Sequence, residues 1–393
     1  MHILLVADGR SPITRRWIQT LKAMEHQITL ISTYPCEPPE GVEAMLVMPV
    51  AFSSASGSQA GKSKTSKKGL ISRFRPLFSA LRYRLGPLTL PRYGRNFSRL
   101  VKELSPDLVH ALRIPYEGML ARYTPQGTPL IISTWGNDLT LHAPATARMT
   151  ELTRKTLQRA NGLMADCQRD IRLAQAWGFD AAKPSLAVAG NGGLDLDETD
   201  VLTEEIRKLE PLQIINPRGM RSYVRNDTFF RAAALVRETH PEVRFVCASM
   251  AGQSEAEAWV ENLNLQDTVK LLPYLDQAAL WQEFARSSIS VSITTHDGTP
   301  NTLLEAMAFS CLPVCGDIES IREWITPGVN GLLADPNDPY AAAESINLAI
   351  ENSELRRKAA EINRSLLKDR AEVHRVRAQI TRFYETFQKP QRF

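Results

Sequence analysis

Two hydrophobic patterns alternate along the chain: short apolar runs fit for buried strands, and stretches whose apolar positions recur at helical spacing. Residues 2–7 (HILLVA) form the first run, residues 12–24 the first amphipathic stretch, and residues 27–32 the second run. This opening predicts a βαβ unit and a parallel sheet. Further strands are expected at 107–112, 129–133, 162–165 and 185–189, with a helix over 169–177. A second series follows: a strand at 212–216, a helix over 227–236, the strand VRFVCASM, a helix from Ser254, the strand TVKLLPYL, and a helix from Gln277. It continues with the β-branched run SSISVSITT (287–295), a helix from Pro300, strands at 312–315 and 331–334, and helices over 338–350 and 373–387. Glu319 and Glu323 are expected on a helix between those last two strands, as surface or capping acids. No period of about 20–50 residues repeats, so this is not a solenoid.

Length changes the picture from one sheet to two. At 393 residues the chain suits two α/β domains. The glycines at 190, 192 and 193 suit a strained connection, and the acidic stretch from Asp195 to Glu210 an exposed linker. The expected division is residues 1–195, then 196–370, with 371–393 a helix returning to the first domain.

Composition narrows the chemistry. The five cysteines are scattered and form no C-x-x-C pair, which argues against a disulfide framework or a zinc site and favours a reducing cytoplasm. The apolar N-terminal run is too short for a signal segment, and no 18-residue apolar run occurs, so a cytoplasmic, soluble or peripheral protein is expected. The net charge of +4 is unevenly spread: residues 44–102 contain no acid. Within them, residues 53–69 read as a low-complexity mobile loop, followed by LISRFRPLFSALRYRL, a basic amphipathic segment interrupted by Pro76. The segment from Lys62 to Arg95 has the form of an anchor to an anionic membrane surface, although packing on the first domain would look the same. No known nucleic-acid module surrounds it, and no nucleic acid is expected as partner.

The densest chemistry lies in DGTPNTLLEAM, residues 297–307. Thr299 reads as an N-cap hydroxyl and Pro300 as the first helical residue. The free N–H groups of Asn301, Thr302 and Leu303, with the positive helix end, then make an anion site. Leu304, Met307, Ala308 and Cys311 should face the core, leaving Glu305 on the flank shared with Asn301. A carboxylate there can accept ribose hydroxyls, while Asp297 and Gly298, before the turn, sit where a second polyol could be held. The order is acid, anion cradle, acid.

The run DGTPNTLLEAMAFSCLPVCGDIESIREWITPGVNGLL resembles the nucleotide-sugar motif of retaining glycosyltransferases of family 4. The resemblance is specific over about residues 287–334 and collinear elsewhere. Asp297 stands where the family usually has Glu, and Ser310-Cys311 where it usually has Gly. The resemblance implies the GT-B fold, two Rossmann-like doubly wound domains facing a central cleft, with the nucleotide bound chiefly by the second. It implies a nucleotide diphosphate sugar as donor and no other cofactor or metal. Asp297 would hold the sugar and Glu305 the ribose. Arg218, at a strand end, matches the family's diphosphate-binding arginine; the lysine expected about six residues later is missing, and Arg225 is the nearest cation, with Arg221 a rival. Asp138, in TWGNDL, occupies an H-G-x-D-like position with Trp135 in place of His, and would serve the acceptor side. Gly9, after the first strand, would permit close approach of donor or acceptor, or simply make a tight turn. His110 reads as a satisfied core histidine.

The expected reaction is transfer of a sugar, with retention, to the hydroxyl of an acceptor glycan or lipid-linked sugar, in surface-polysaccharide or glycolipid assembly. A nucleotide-sugar epimerase of the same fold and a non-catalytic membrane-binding protein are the alternatives. Nucleotide base, sugar and acceptor are not legible.

Overall fold

A computed structural model describes residues 1–56, 81–206, 208 and 210–388. The expected loop at 53–69 and the basic segment from Lys62 as far as residue 80 lie almost wholly outside them. The chain divides into two compact units, Met1–Gly192 with Val376–Phe393, and Gly193–Arg375.

The first unit is built on a seven-stranded parallel sheet: β1 (His2–Ala7), β2 (Gln27–Ser32), β3 (Ala44–Val47), β4 (Leu108–Ala111), β5 (Leu130–Thr134), β6 (Gly162–Ala165) and β7 (Ser185–Ala187), in the order β3-β2-β1-β4-β5-β6-β7. The central strands are apolar along their whole length because helices cover both faces of such a sheet. Ile3, Leu4, Leu5 and Val6 of β1 are fully buried, and so are Val109 and Ile132. The edge strand β3 was not expected. Its residues are largely exposed, and four residues at an edge carry no clear alternation.

Two helices of this unit were also not expected, Leu90–Leu104 and Ala147–Arg159. Charge obscures the first, although Leu90, Phe97 and Val101 recur on its buried face. Gly94 belongs to that face, and a Cβ there would come within 2.4 Å of the Tyr123 ring. The last helix, Val373–Glu385, delivers Tyr384 to His110: the tyrosine hydroxyl bonds Nδ1 at 2.7 Å while Nε2 meets Ser133 Oγ at 2.8 Å. His110 is thus a core histidine with both nitrogens partnered, and burial pushes its pKa down to about 3.

The second unit has a six-stranded parallel sheet: β8 (Gln213–Asn216), β9 (Arg244–Cys247), β10 (Val269–Leu271), β11 (Ile289–Ser292), β12 (Leu312–Gly316) and β13 (Leu332–Ala334), in the order β10-β9-β8-β11-β12-β13. Numbered within the unit this is 3-2-1-4-5-6, the Rossmann order, whose direction of growth reverses between β8 and β11. In the first unit the same reversal lies between β1 and β4.

Two expectations need correction here, and one further helix was not expected. The acidic stretch after Asp195 is no exposed linker: Leu196–Glu205 is a helix, capped by Asp195, whose carboxylate accepts from Glu198 N–H at 3.1 Å. Its Leu196 and Thr199 are buried, so two inward positions suffice to dock a helix that is acidic elsewhere. The helix expected to carry Glu319 and Glu323 is only a 3-10 turn, Ile321–Glu323. The helix Ser353–Arg370 went unread because its buried positions, among them Leu355, Ala359, Asn363 and Leu367, are thinly spaced among charges.

Candidate functional site

In open α/β sheets ligands bind beyond the carboxyl ends of the strands at the point of reversal. In the second unit that point receives Pro217-Arg218-Gly219 from β8 and the stretch from Thr294 to Pro300 from β11. Asn216 fixes the first loop: its Oδ1 accepts from Arg218 N–H at 3.2 Å and its Nδ2 donates to Asn226 Oδ1 at 3.2 Å. Asn226 in turn donates to Gly219 O at 3.0 Å, and Gly219 turns there with φ +64, a backbone region that favours glycine.

The Arg218 guanidinium donates through Nη2 to Asp297 Oδ2 at 2.6 Å and through Nη1 to Thr302 Oγ1 at 3.2 Å, while its Nε is buried without a partner. The arginine is 8% exposed, so the ion pair is largely withdrawn from water. Asp297 is steadied from behind, since Ser320 Oγ donates to its backbone carbonyl at 2.7 Å. Burial pushes the thiol of the nearby Cys315 up to about 12, so it stays protonated. Arg218 therefore meets Asp297 and Thr302, which lie 79 and 84 residues further along the chain, at the start of one helix.

That helix runs Asn301–Ala308, and its start differs from expectation. Pro300, with φ −67 and ψ 130, is itself the cap residue, and the Thr299 hydroxyl accepts from Trp324 Nε1 at 2.9 Å instead of capping. Leu303 N–H is not free but donates to Pro300 O at 3.0 Å. The first-turn groups of Asn301 and Thr302 remain without an intrahelical acceptor. Leu304, Met307, Ala308 and Cys311 are buried as expected. Glu305 is also buried, at 6% exposure, and its Oε1 accepts from Trp281 Nε1 at 3.0 Å and Gln277 Nε2 at 3.3 Å.

Arg225 is placed differently from the expected diphosphate grip. Its Nε and Nη2 both bond Asp227 at 2.8 Å, and Nη1 meets Asn337. The hydrogen bonds of Arg225 thus point it to its own helix start and the Asn337 loop, not to Asp297. Arg221 is exposed and donates to Tyr223 OH at 3.0 Å.

In the first unit the sequence reading is revised at two residues. Asp138 is 0% exposed. Its Oδ1 accepts from Arg113 Nη2 at 2.6 Å, and its Oδ2 from the N–H groups of Ile114 (2.9 Å) and Trp135 (3.3 Å). A carboxylate so enclosed does not touch an acceptor; it positions Arg113. Gly9 is buried, and the space of its missing side chain is taken by Cys36 Sγ, 2.6 Å from where a Cβ would stand. Close packing, rather than ligand approach, accounts for this glycine.

The sequence reading missed a cavity of about 270 Å³ at this sheet's own reversal, lined by Asp8, Thr14, Arg82, Arg113, Tyr116 and Glu117 among others. Arg113 lies just past β4, and the strand-end rule that singled out Asp138 applies to it equally. Glu117 accepts from Thr33 Oγ1 at 2.8 Å, and burial raises its pKa. Among the described residues, Asp166, Cys167 and Asp170 alone approach closely enough to share a cation, and there Arg169 already pairs with Asp170 at 2.6 Å.

Residues 9–192 match a family model described as glycosyl transferase 4-like domain, and residues 202–366 one described as glycosyl transferases group 1. Among solved structures, HepE of Anabaena with bound UDP is similar at a TM-score of 0.72 and 15% identity, covering 98% of this chain and 100% of that one. Sucrose-phosphate synthase of Thermosynechococcus elongatus gives 0.72 at 13% identity, covering 98% of each. A glycosyltransferase of Rickettsia africae gives 0.69 at 14%, covering 99% of each. Compared with curated protein sequences, the chain finds no significant match.

Proposed function

The chain belongs to the family 4-type glycosyltransferases of GT-B fold, and from that premise we propose that it moves a sugar, with retention, from a nucleoside diphosphate sugar to an acceptor hydroxyl. The observation that carries the proposal is the meeting of Arg218, Asp297 and Thr302 at the start of the helix Asn301–Ala308. A buried guanidinium with an unpaired Nε, beside first-turn N–H groups, is suited to a diphosphate. HepE has been solved with UDP and with UDP-glucose, which supports a donor of this class.

The bond from the anomeric carbon to the donor's phosphate oxygen breaks, and a bond from that carbon to the acceptor oxygen forms on the same face. The acceptor's proton passes to the departing phosphate oxygen. Negative charge grows on the leaving diphosphate, where Arg218 and the helix start would stabilise it by a metal-independent route. Asp297 would exchange its bond to Arg218 for the hydroxyls of the sugar, and Glu305 would accept from the ribose. Asp138 acts only through Arg113.

We further propose cell-surface polysaccharide or glycolipid assembly, at an anionic membrane face. Of the segment ending at Arg95, the described part exposes Leu81, Leu85 and Leu88 beside Arg84, Arg92 and Arg95, a mixture suited to an anionic interface. Among the described residues no helix is long and apolar enough to cross a membrane.

The test is mass-spectrometric detection of free nucleoside diphosphate from a panel of nucleotide sugars, for the parent and for Arg218→Ala, Asp297→Ala and Glu305→Ala. Release from one donor, lost in the variants, supports the reading; an isomer formed from donor alone would instead make the protein an epimerase. Flotation with anionic vesicles tests the membrane face.

A further inference from the structure

The cavity of the first unit contains an imbalance that the donor site does not explain. Three of its lining side chains carry buried donors with no partner: Thr14 Oγ1, Arg82 Nε and Arg113 Nε. An unmatched buried donor costs about 1–3 kcal/mol, and native proteins keep few of them. All three atoms are closed off even from water, so a ligand in the cavity would meet the two arginines through the exposed part of their guanidinium groups instead.

The charges facing the cavity say what kind of oxygen. Asp8 is held by Arg10 at 3.0 Å, and Asp138 behind the wall holds Arg113 at 2.6 Å. Glu117 accepts from Thr33, and burial raises its pKa against the pull of Arg113. Arg82 has no ion-pair partner among the described residues; it lies between the rings of Tyr116, at 4.6 Å, and Tyr34, at 5.5 Å. Arg82 is therefore the cation left to meet a ligand, a guanidinium framed by aromatic faces.

Tyr116 supports a built site. Its φ of +67 and ψ of −50 put a bulky residue in a backbone region worth about 1–3 kcal/mol of strain, and its hydroxyl donates to the Arg82 carbonyl at 2.9 Å. Strain retained at a cavity wall points to use of that wall. At about 270 Å³ the space lies just below the usual range of about 300–1,000 Å³ for small-molecule pockets, which suits one ring rather than a long chain.

We propose that this cavity takes the acceptor, and that the acceptor presents an acidic sugar whose carboxylate or phosphate meets Arg82 and Arg113 while its ring lies against the aromatic walls. Only the word acceptor rests on the transferase reading; binding of the acidic sugar does not.

The experiment titrates the full chain, by ligand-observed NMR, with D-glucuronate, D-glucose 6-phosphate, D-glucose and inorganic phosphate. At least one acidic sugar should bind about tenfold or more tightly than D-glucose, the scale of a charge-assisted hydrogen bond. Which acid prevails tells carboxylate from phosphate. Arg82→Gln should remove the advantage. Arg82→Lys should keep part of it, because the charge stays while the planar fork is lost. An equal response to glucose and both acids, or an advantage that survives Arg82→Gln, overturns the proposal; so does inorganic phosphate binding as tightly as glucose 6-phosphate, an adventitious ion only. Nucleoside diphosphate release, measured in parallel with Arg218→Ala, separates the two readings. Donor turnover without acidic-sugar preference sinks the cavity and spares the transferase, and the reverse result does the opposite.

Discussion

The two units present the same place in the same topology and have filled it with different chemistry. Beyond β8 and β11 stand one buried arginine, its paired aspartate and a helix start. Beyond β1 and β4 stand aromatic rings, an arginine with no ion-pair partner among the described residues and a second arginine clamped by a fully buried acid. Sheet order decides where a ligand can lie, since strand ends at the reversal leave a gap that crossover helices do not cover. Side chains decide which ligand. A short, small-residue loop with a helix N-terminus suits a compact, multiply charged diphosphate, whereas flat rings and a partly hidden guanidinium suit a ring bearing a single acid.

The largest effect expected is on the clamp of the first unit. Asp138→Ala breaks an ion pair whose carboxylate is fully buried and leaves the N–H groups of Ile114 and Trp135 without that acceptor, a loss of about 3–5 kcal/mol. By the usual scaling for units of this size, the melting temperature should fall by roughly 6–20 °C. Thermal unfolding followed by circular dichroism reads this directly. If Asp138 instead touched acceptor, the variant would lose activity with little change in melting temperature.

Next in size is Arg218→Ala, expected to lower the rate of nucleoside diphosphate release by about 10²–10³-fold, the scale of losing one preorganised charge at a leaving group. Arg218→Lys should recover part of it, because a point charge replaces the charge but not the fork that spans Asp297 and Thr302. Retained turnover in the alanine variant would move the donor site elsewhere and dissolve the contrast between the two reversals.

These two residues also show what a sequence can disclose. Arg218 and Asp297 were legible because each follows a strand on a loop, where local spacing and family resemblance both apply. The role of Asp138 was not legible. Nothing in TWGNDL reveals that Arg113 and the N–H of Ile114 will enclose it, since that depends on β4 and β5 pairing in register. The cavity was hidden for the same reason: Thr14, Arg82 and Arg113 come from three separate segments, and only packing brings them to one wall. The helix Leu196–Glu205 was hidden differently, by a surface so acidic that its two inward residues left no periodic signal.

His110 gives a prediction in pH. Its folded pKa, about 3, lies below the ordinary value of 6.5. The unfolded state therefore binds more protons between those values. The contribution to stability is fully present above about pH 6.5 and is lost as pH falls toward 3, by at most about 1.4 kcal/mol per pH unit. Melting temperatures from pH 7 to pH 5 should fall more steeply for the parent than for His110→Asn. Parallel slopes would mean that burial does not keep the ring neutral.

The smallest effect expected is the one that sharpens the donor site most. Arg225→Ala should change nucleoside diphosphate release by less than about threefold, because both faces of its guanidinium edge are spent on Asp227 and Asn337, on a surface where ion pairs are worth little, about 0–1 kcal/mol. By sequence position alone it is the nearest replacement, with Arg221 as rival, for the lysine expected after Arg218. The structure separates the two arginines by what they hold: one is buried with a free Nε beside a helix start, the other is tied down at the surface. A loss matching that of Arg218→Ala would show that the Asp227 pair opens when donor arrives. The second unit would then bind its diphosphate with two cations, one fixed and one recruited, and would share with the first unit the device of an arginine held ready by a carboxylate.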